Sequence, residues 1–133
     1  MIRTPREKRC LMIGGINAMK LLTQVFLVCR RAYEQGSEGK LLAARMGLVD
    51  ENLTDRLRIG YAERTLLGAI PVDGEVRDAL RELGLVAVDG TLTIAKNLVV
   101  PIFDRRRVLA GFVAVDEAGA QRRFPATLST FQF

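Results

Sequence analysis

The stretch LVVPIFDRRRVLAGFVAVDEAGAQRRF, residues Leu98–Phe124, carries the reading of the fold. Leu98–Phe103 is a continuous apolar run of strand length, and Pro101 within it lacks an N–H, so this strand is expected to be an edge or to start irregularly. Asp104–Arg107 reads as a turn, Val108–Val115 as the next strand, Asp116–Gly119 as a second turn and Ala120–Phe124 as a short last strand. Two turns this short can join only antiparallel neighbours. The segment is therefore expected to form a β-meander.

Just upstream, Leu85–Val88 and Thr91–Ile94 flank Asp89-Gly90, the signature of a hairpin with a two-residue loop. Before Gly84 the pattern changes to helical spacing. Leu21, Leu22, Val25, Phe26, Val28, Cys29, Ala32 and Tyr33 give one helix a wide apolar face, which predicts that it is mostly buried and ends at Gly36. Glu38–Met46 fits a second helix closed by Gly47. A third is expected to start at the N-cap Asp50 and to stop at Gly60. A fourth is expected to start at the cap Asp73, to line one face with Val76, Ala79, Leu80 and Leu83, and to stop at Gly84. Helices followed by an antiparallel meander make an α+β class, expected as a single domain over 1–133, with the helical part at 16–84 and the stranded part at 85–125.

Composition limits the chemistry. The 133 residues carry 20 Lys and Arg against 15 Asp and Glu, and no His. That removes the commonest general base and metal ligand. Cys10 and Cys29 lack metal-ligand spacing and read as buried free thiols in a reducing cytoplasm, with a disulfide between them the lesser alternative. Gly14-Gly15 lacks the Lys-Ser/Thr pair of a phosphate loop, and Ser37 and Ser129 have no base nearby in sequence. No self-contained catalytic site and no metal site are readable. Residues 10–29 are apolar enough to suggest an anchor, but Asn17, Lys20, Thr23 and Gln24 oppose it, since a mid-span Lys costs roughly 2.5–3.5 kcal/mol. The expected location is cytoplasmic, with no membrane partner.

The positive excess lies at the two ends of the chain. Arg3, Arg6, Lys8, Arg9 and Lys20 stand at the front, and Arg105, Arg106, Arg107, Arg122 and Arg123 at the back. Three arginines in one turn and two on the following strand can neutralise phosphates with bidentate geometry. Phe112 and Phe124 are the nearest candidates for stacking on bases. The competing reading is a solvated turn and an exposed strand face.

Two motifs favour the phosphate reading. Leu57-Arg58-Ile59-Gly60-Tyr61-Ala62, after Arg45-Met46-Gly47-Leu48, resembles the Phe-Arg-Ile-Gly-Tyr-Ala motif of the DnaG-type DNA primase core and the Arg-x-Gly-Leu stretch before it. Val100-Pro101-Ile102-Phe103-Asp104 followed by Gly111-Phe112 resembles that family's Phe-Pro-Ile-x-Asp…Gly-Phe segment, and Arg123-Phe124 falls where the family has Lys-Tyr. The resemblance spans roughly residues 20–130. It implies the N-terminal half of the catalytic core, the part that precedes the Toprim domain and borders a basic groove for template and primer. It also implies that the magnesium-binding Toprim carboxylates would follow Phe133 and that a zinc-binding module would precede Met1, so no cofactor is expected within this chain. Departures are Arg107 for a family Gly, Lys96-Asn97 for a family Arg, Val113-Ala114 for Gly-Arg and Pro125-Ala126-Thr127 for Leu-Asn-Ser. A divergent mobile-element primase and a relative that has lost activity both stay open.

The function expected is thus the nucleic-acid-binding half of a primase core, a nucleotidyltransferase of DNA replication, with no catalysis by this chain alone. Its phosphate contacts would be Arg58, Lys96, Arg105, Arg106, Arg122 and Arg123. For Arg58 an ion pair with Asp55 or Glu63 is the alternative role. The partners expected are a single-stranded DNA template, an RNA primer, a Toprim domain and a replicative helicase. The alternative from another class is a catalytically inactive protein-interaction or regulatory module that keeps the fold.

Overall fold

The computed structural model describes residues 12–13, 16–48, 50–69 and 74–125. The arginines before Lys20, the Gly14-Gly15 pair, Cys10, Asp73 and Ala126-Thr127 lie outside them. Asn17 begins the first long element: its side chain accepts from the N–H groups of Met19 and Lys20, which helix geometry leaves unsatisfied. Helix α1 then runs Ala18–Gln35 and closes on Gly36, whose N–H reaches the carbonyl of Ala32. Helix α2 is Glu38–Arg45, with Gly47 at φ +87° just beyond it. Helix α3 is Glu51–Leu57, capped as expected by Asp50 through Asn52 and Leu53. A 3-10 turn, Leu66–Ala69, and helix α4, Gly74–Glu82, complete the helical half, with Gly84 at φ +85°.

The meander forms as read. With β1 (Met12–Ile13), β2 (Ile16–Asn17) and β3 (Gly60–Tyr61) preceding it, β4 is Leu98–Phe103, β5 Leu109–Val115 and β6 Gln121–Phe124. β1 and β2 pair as a small separate hairpin; the main sheet is antiparallel in the order β3-β4-β5-β6. Helices and a four-stranded antiparallel sheet make the α+β class expected.

Three expectations need correction. The third helix ends at Arg58, in the left-handed region at φ +54°, and Gly60 is already a strand residue. β4 is not an edge along its whole length. β3 pairs with Leu98 and Val99 only, so Pro101 falls where, among the described residues, no strand flanks β4 on that side and its missing N–H breaks no ladder there. The segments around Asp89-Gly90 make a single bridge, Val86 to Leu92, rather than two strands. Their loop also holds three residues, not two, because the Ala87 N–H bonds to the Thr91 carbonyl and the Gly90 N–H to the Ala87 carbonyl. A two-residue loop of type I′ needs positive φ at both Asp89 and Gly90. Here only Gly90 has it, at φ +88°. The Asp89 carboxylate instead accepts from the N–H and the hydroxyl of Thr91, which also hold its pKa below the ordinary value.

Apolar side chains pack on both faces of the sheet. On one face Val99, Phe112, Ala114 and Phe124 meet Leu21, Leu22, Val25 and Cys29 of α1 and Ala79 and Leu80 of α4. Phe112 and Phe124 sit on paired positions with ring centroids 5.5 Å apart, worth about 0.5–1.5 kcal/mol beyond their burial. Gly60 lets α1 descend onto β3, since a Cβ there would meet the backbone of Cys29 and Arg30 at 2.8 and 2.9 Å. On the other face Ile59, Tyr61 and Leu98 pack with Tyr33 and with Leu42 and Ala43 of α2. The Tyr61 hydroxyl donates to Glu38, and burial first, then this bond, pushes its pKa up. The LRIGYA motif therefore has a structural role: it closes α3, starts β3 and fills both packed faces.

Candidate nucleic-acid interface

The β4–β5 hairpin presents the charge. Its loop is built like that at Gly90: the Asp104 N–H bonds to the Val108 carbonyl and the Arg107 N–H to the Asp104 carbonyl, enclosing Arg105, Arg106 and Arg107. The Asp104 carboxylate stiffens the turn by accepting from the N–H groups of Arg106 at 2.8 Å and Val108 at 3.1 Å. All three arginines are exposed. Among the described residues none of their guanidinium groups has a hydrogen bond or an ion pair. Other arginines are engaged: Arg30 with Asp55, Glu34 and the Ile59 carbonyl, Arg45 with Glu117 at 3.0 Å, and Arg81 with Asp78. Arg107 holds φ +64°, in the place where the matching turns use Gly90 and Gly119.

The other predicted contacts are spread out. Arg123 pairs with Val113 of β5, and alternation puts it on the α2 face, where Val100, Ile102 and Val113 are only half-buried. It stands about four residues, roughly 13 Å along the strand, from the arginine turn. Arg122 points to the opposite face, and its guanidinium donates to the Thr93 carbonyl at 2.6 Å, tying β6 to the turn before β4. Arg58 is exposed at the end of α3 and has no ion pair among the described residues; Asp55 is taken by Arg30. Lys96 is exposed at φ +66°, before β4, with its N–H bonded to the Ala62 carbonyl. It lies some nine residues from Arg105 along β4, on the order of 25–30 Å away. The structure thus groups Arg105 and Arg106 with Arg107, leaves Arg123 within reach of an extended ligand, and separates Lys96 and Arg122.

The stacking candidates are corrected. Phe112 and Phe124 are 0% and 4% exposed and pack on each other, so neither can meet a base. Their place on the core face could not be read before knowing which face of the meander α1 covers. Phe103, at the end of β4, is the exposed aromatic side chain among the described residues, at 39%. Arg107 was also not among the predicted contacts, although the run of three arginines signalled it.

No protein-family model matches the chain, and no curated protein matches it. Solved structures do. A DnaG primase catalytic domain bound to single-stranded DNA superposes with TM-score 0.65 at 16% identity, over 87% of this chain and 40% of that one. A DnaG catalytic core gives TM-score 0.67 at 16% identity, over 87% and 39%. The E. coli primase catalytic core gives 0.64 at 16% identity, over 86% and 39%.

The chain has the fold of one part of the DnaG primase catalytic core.

It spans about two-fifths of the length of the primase chains it matches. At this identity the likeness to the primase core is one of fold, and it agrees with the resemblance carried by the LRIGYA and VPIFD motifs. Among the described residues no three His, Cys, Asp or Glu side chains gather as a metal site, and no helix is long and apolar enough to cross a membrane.

Proposed function

We propose that this chain is the nucleic-acid-binding part of a primase-like core, holding single-stranded DNA through the arginine turn. The observation that carries this is the rigid Arg105-Arg106-Arg107 loop, its guanidinium groups unpaired among the described residues, on the fold of a domain solved with single-stranded DNA bound. Arg105 and Arg106 contact phosphates, Arg123 takes the next phosphate along the open sheet face, and Arg58 and Lys96 serve as outlying contacts. Arg122 acts mainly as a brace through Thr93. The partners on this reading are template and RNA primer during replication in the cytoplasm, with a Toprim unit and a replicative helicase. Magnesium would be held by the Toprim unit, so the pure chain makes no primer; template-dependent RNA product from it would overturn that point.

Fluorescence anisotropy with labelled oligothymidylate tests the binding. Each phosphate neutralised on a single strand contributes about 0.7 to the log–log salt slope, so three contacts give a slope near roughly −2. Arg105→Glu with Arg106→Glu flattens the slope while the fold is kept, because both side chains are exposed and unpaired among the described residues. An unchanged slope in the folded double variant would reject the assignment. The second reading is a protein-interaction module that keeps the fold. It predicts no salt-dependent binding of DNA.

A further inference from the structure

We propose that Phe103 is a stacking platform for a nucleobase, set beside the arginine turn at the end of the β4–β5 hairpin. This rests on the single-strand reading above and adds to it a contact that does not depend on charge. Of the described aromatic side chains, Phe26, Tyr33, Tyr61, Phe112 and Phe124 are all at most 7% exposed, whereas Phe103 is 39% exposed. A phenyl ring left in water forgoes burial free energy that the other five collect. The backbone around it is fixed on both sides. Phe103 pairs with Leu109 across a register shift in which Ala110 of β5 is the extra residue, so Phe103 itself stays in the regular run of β4. Asp104, the next residue, is locked by its bonds to Arg106 and Val108.

The occupant follows from what surrounds the ring. The turn that follows it carries Arg105, Arg106 and Arg107, exposed and with no carboxylate partner among the described residues, and then Val108, 56% exposed. One ring with a row of cations suits a ligand that alternates flat apolar faces with negative charges, which is a single-stranded nucleic acid. A protein partner would need a wider apolar area than one phenyl ring and one valine. Every base has a π-face, so this contact is tolerant of sequence and insensitive to salt, while the arginine contacts carry the salt dependence.

The test uses the whole chain, which contains no Trp. Phe103→Trp introduces a sole indole at the proposed platform, and oligothymidylate should quench its emission along the binding curve. Phe103→Leu should weaken binding about five- to 150-fold at every salt concentration and leave the salt slope unchanged. Circular dichroism confirms that both variants fold. Unquenched indole emission from Phe103→Trp while the oligonucleotide binds, or wild-type affinity in Phe103→Leu, overturns the stacking role and leaves the arginine reading standing. Absence of binding by the wild-type chain at low salt overturns both. A blue shift of the indole emission with phosphatidylserine vesicles, without quenching by oligothymidylate, overturns it in favour of a membrane surface.

Discussion

Arg107 occupies a position that the two sister turns fill with glycine, and every non-glycine residue at positive φ among the described residues is basic: Arg58, Lys96 and Arg107. An L side chain in that region costs about 1 kcal/mol or somewhat more. Strain of this kind persists where surrounding structure enforces it and tends to gather at functional sites. Arg107→Gly should therefore raise the urea-unfolding free energy by up to about 1 kcal/mol while weakening DNA binding; a variant no more stable than wild type would show that the turn carries no strain. The resemblance, which has Gly where this chain has Arg107, already pointed to a positive φ there; the hydrogen bonds of a three-residue loop are what impose it. Cys29 is a second residue-scale case. Burial first, then the nearby Glu63, pushes its thiol up to about 12 from an ordinary value of 9.0. The folded state thus favours the neutral thiol. Its contribution is complete below the ordinary value and is lost progressively as pH rises from about 9 towards 12. Urea titrations above pH 9 should show this steeper loss in wild type than in Cys29→Ala, and equal slopes would refute it.

The helices were legible because their signals are local. Asp50, read as a cap, bonds within three residues, and Asp50→Ala should cost about 1 kcal/mol in thermal unfolding; Asn17 does the same at the start of α1 without having been read as a cap. The meander was legible for the same reason, since its strands are sequence neighbours. β3 was not. Two residues, Gly60–Tyr61, are too few to show a period of two, and they become a strand only because Leu98 and Val99 come alongside. The helix–strand contact at Gly60 was likewise read as a helix stop, because the sequence shows a glycine but not the α1 backbone lying on it. Gly60→Ala tests the contact. The new Cβ would press on backbone atoms that cannot rotate away, so the expected loss is about 1–3 kcal/mol, with α1 shifted off the sheet. A wild-type melting curve would show that the interface has slack. For the site, strand alternation sets Arg122 and Arg123 on opposite faces, but the sequence does not tell which face the core claims.

Across the whole molecule the cations exceed the anions by a net +5, yet only some of them are available. Arg30, Arg45, Arg81 and Arg122 are spent on partners inside the chain, so charge counting overstates the binding surface. Arg45→Ala, which frees Glu117, should leave oligothymidylate affinity within about twofold, because an exposed pair contributes little; a large change would place the ligand over α2. The three hairpin loops share one build, each closing three residues between strands or bridges at Ala87–Thr91, Asp104–Val108 and Asp116–Ala120. That repetition bears on the order in which the chain folds. Loops this short close at small entropic cost, and hairpins form in about 1–10 μs, so the three segments from Leu98 to Phe124 can zip together early. The pairing of β3 with β4 has to wait, because residues 62–97 must first be gathered between them. A kinetic mutant series should accordingly give Val113→Ala a φ-value above about one half and Ile59→Val a value near zero. The edge where β3 docks would then be the last part of the sheet to form and the first to open.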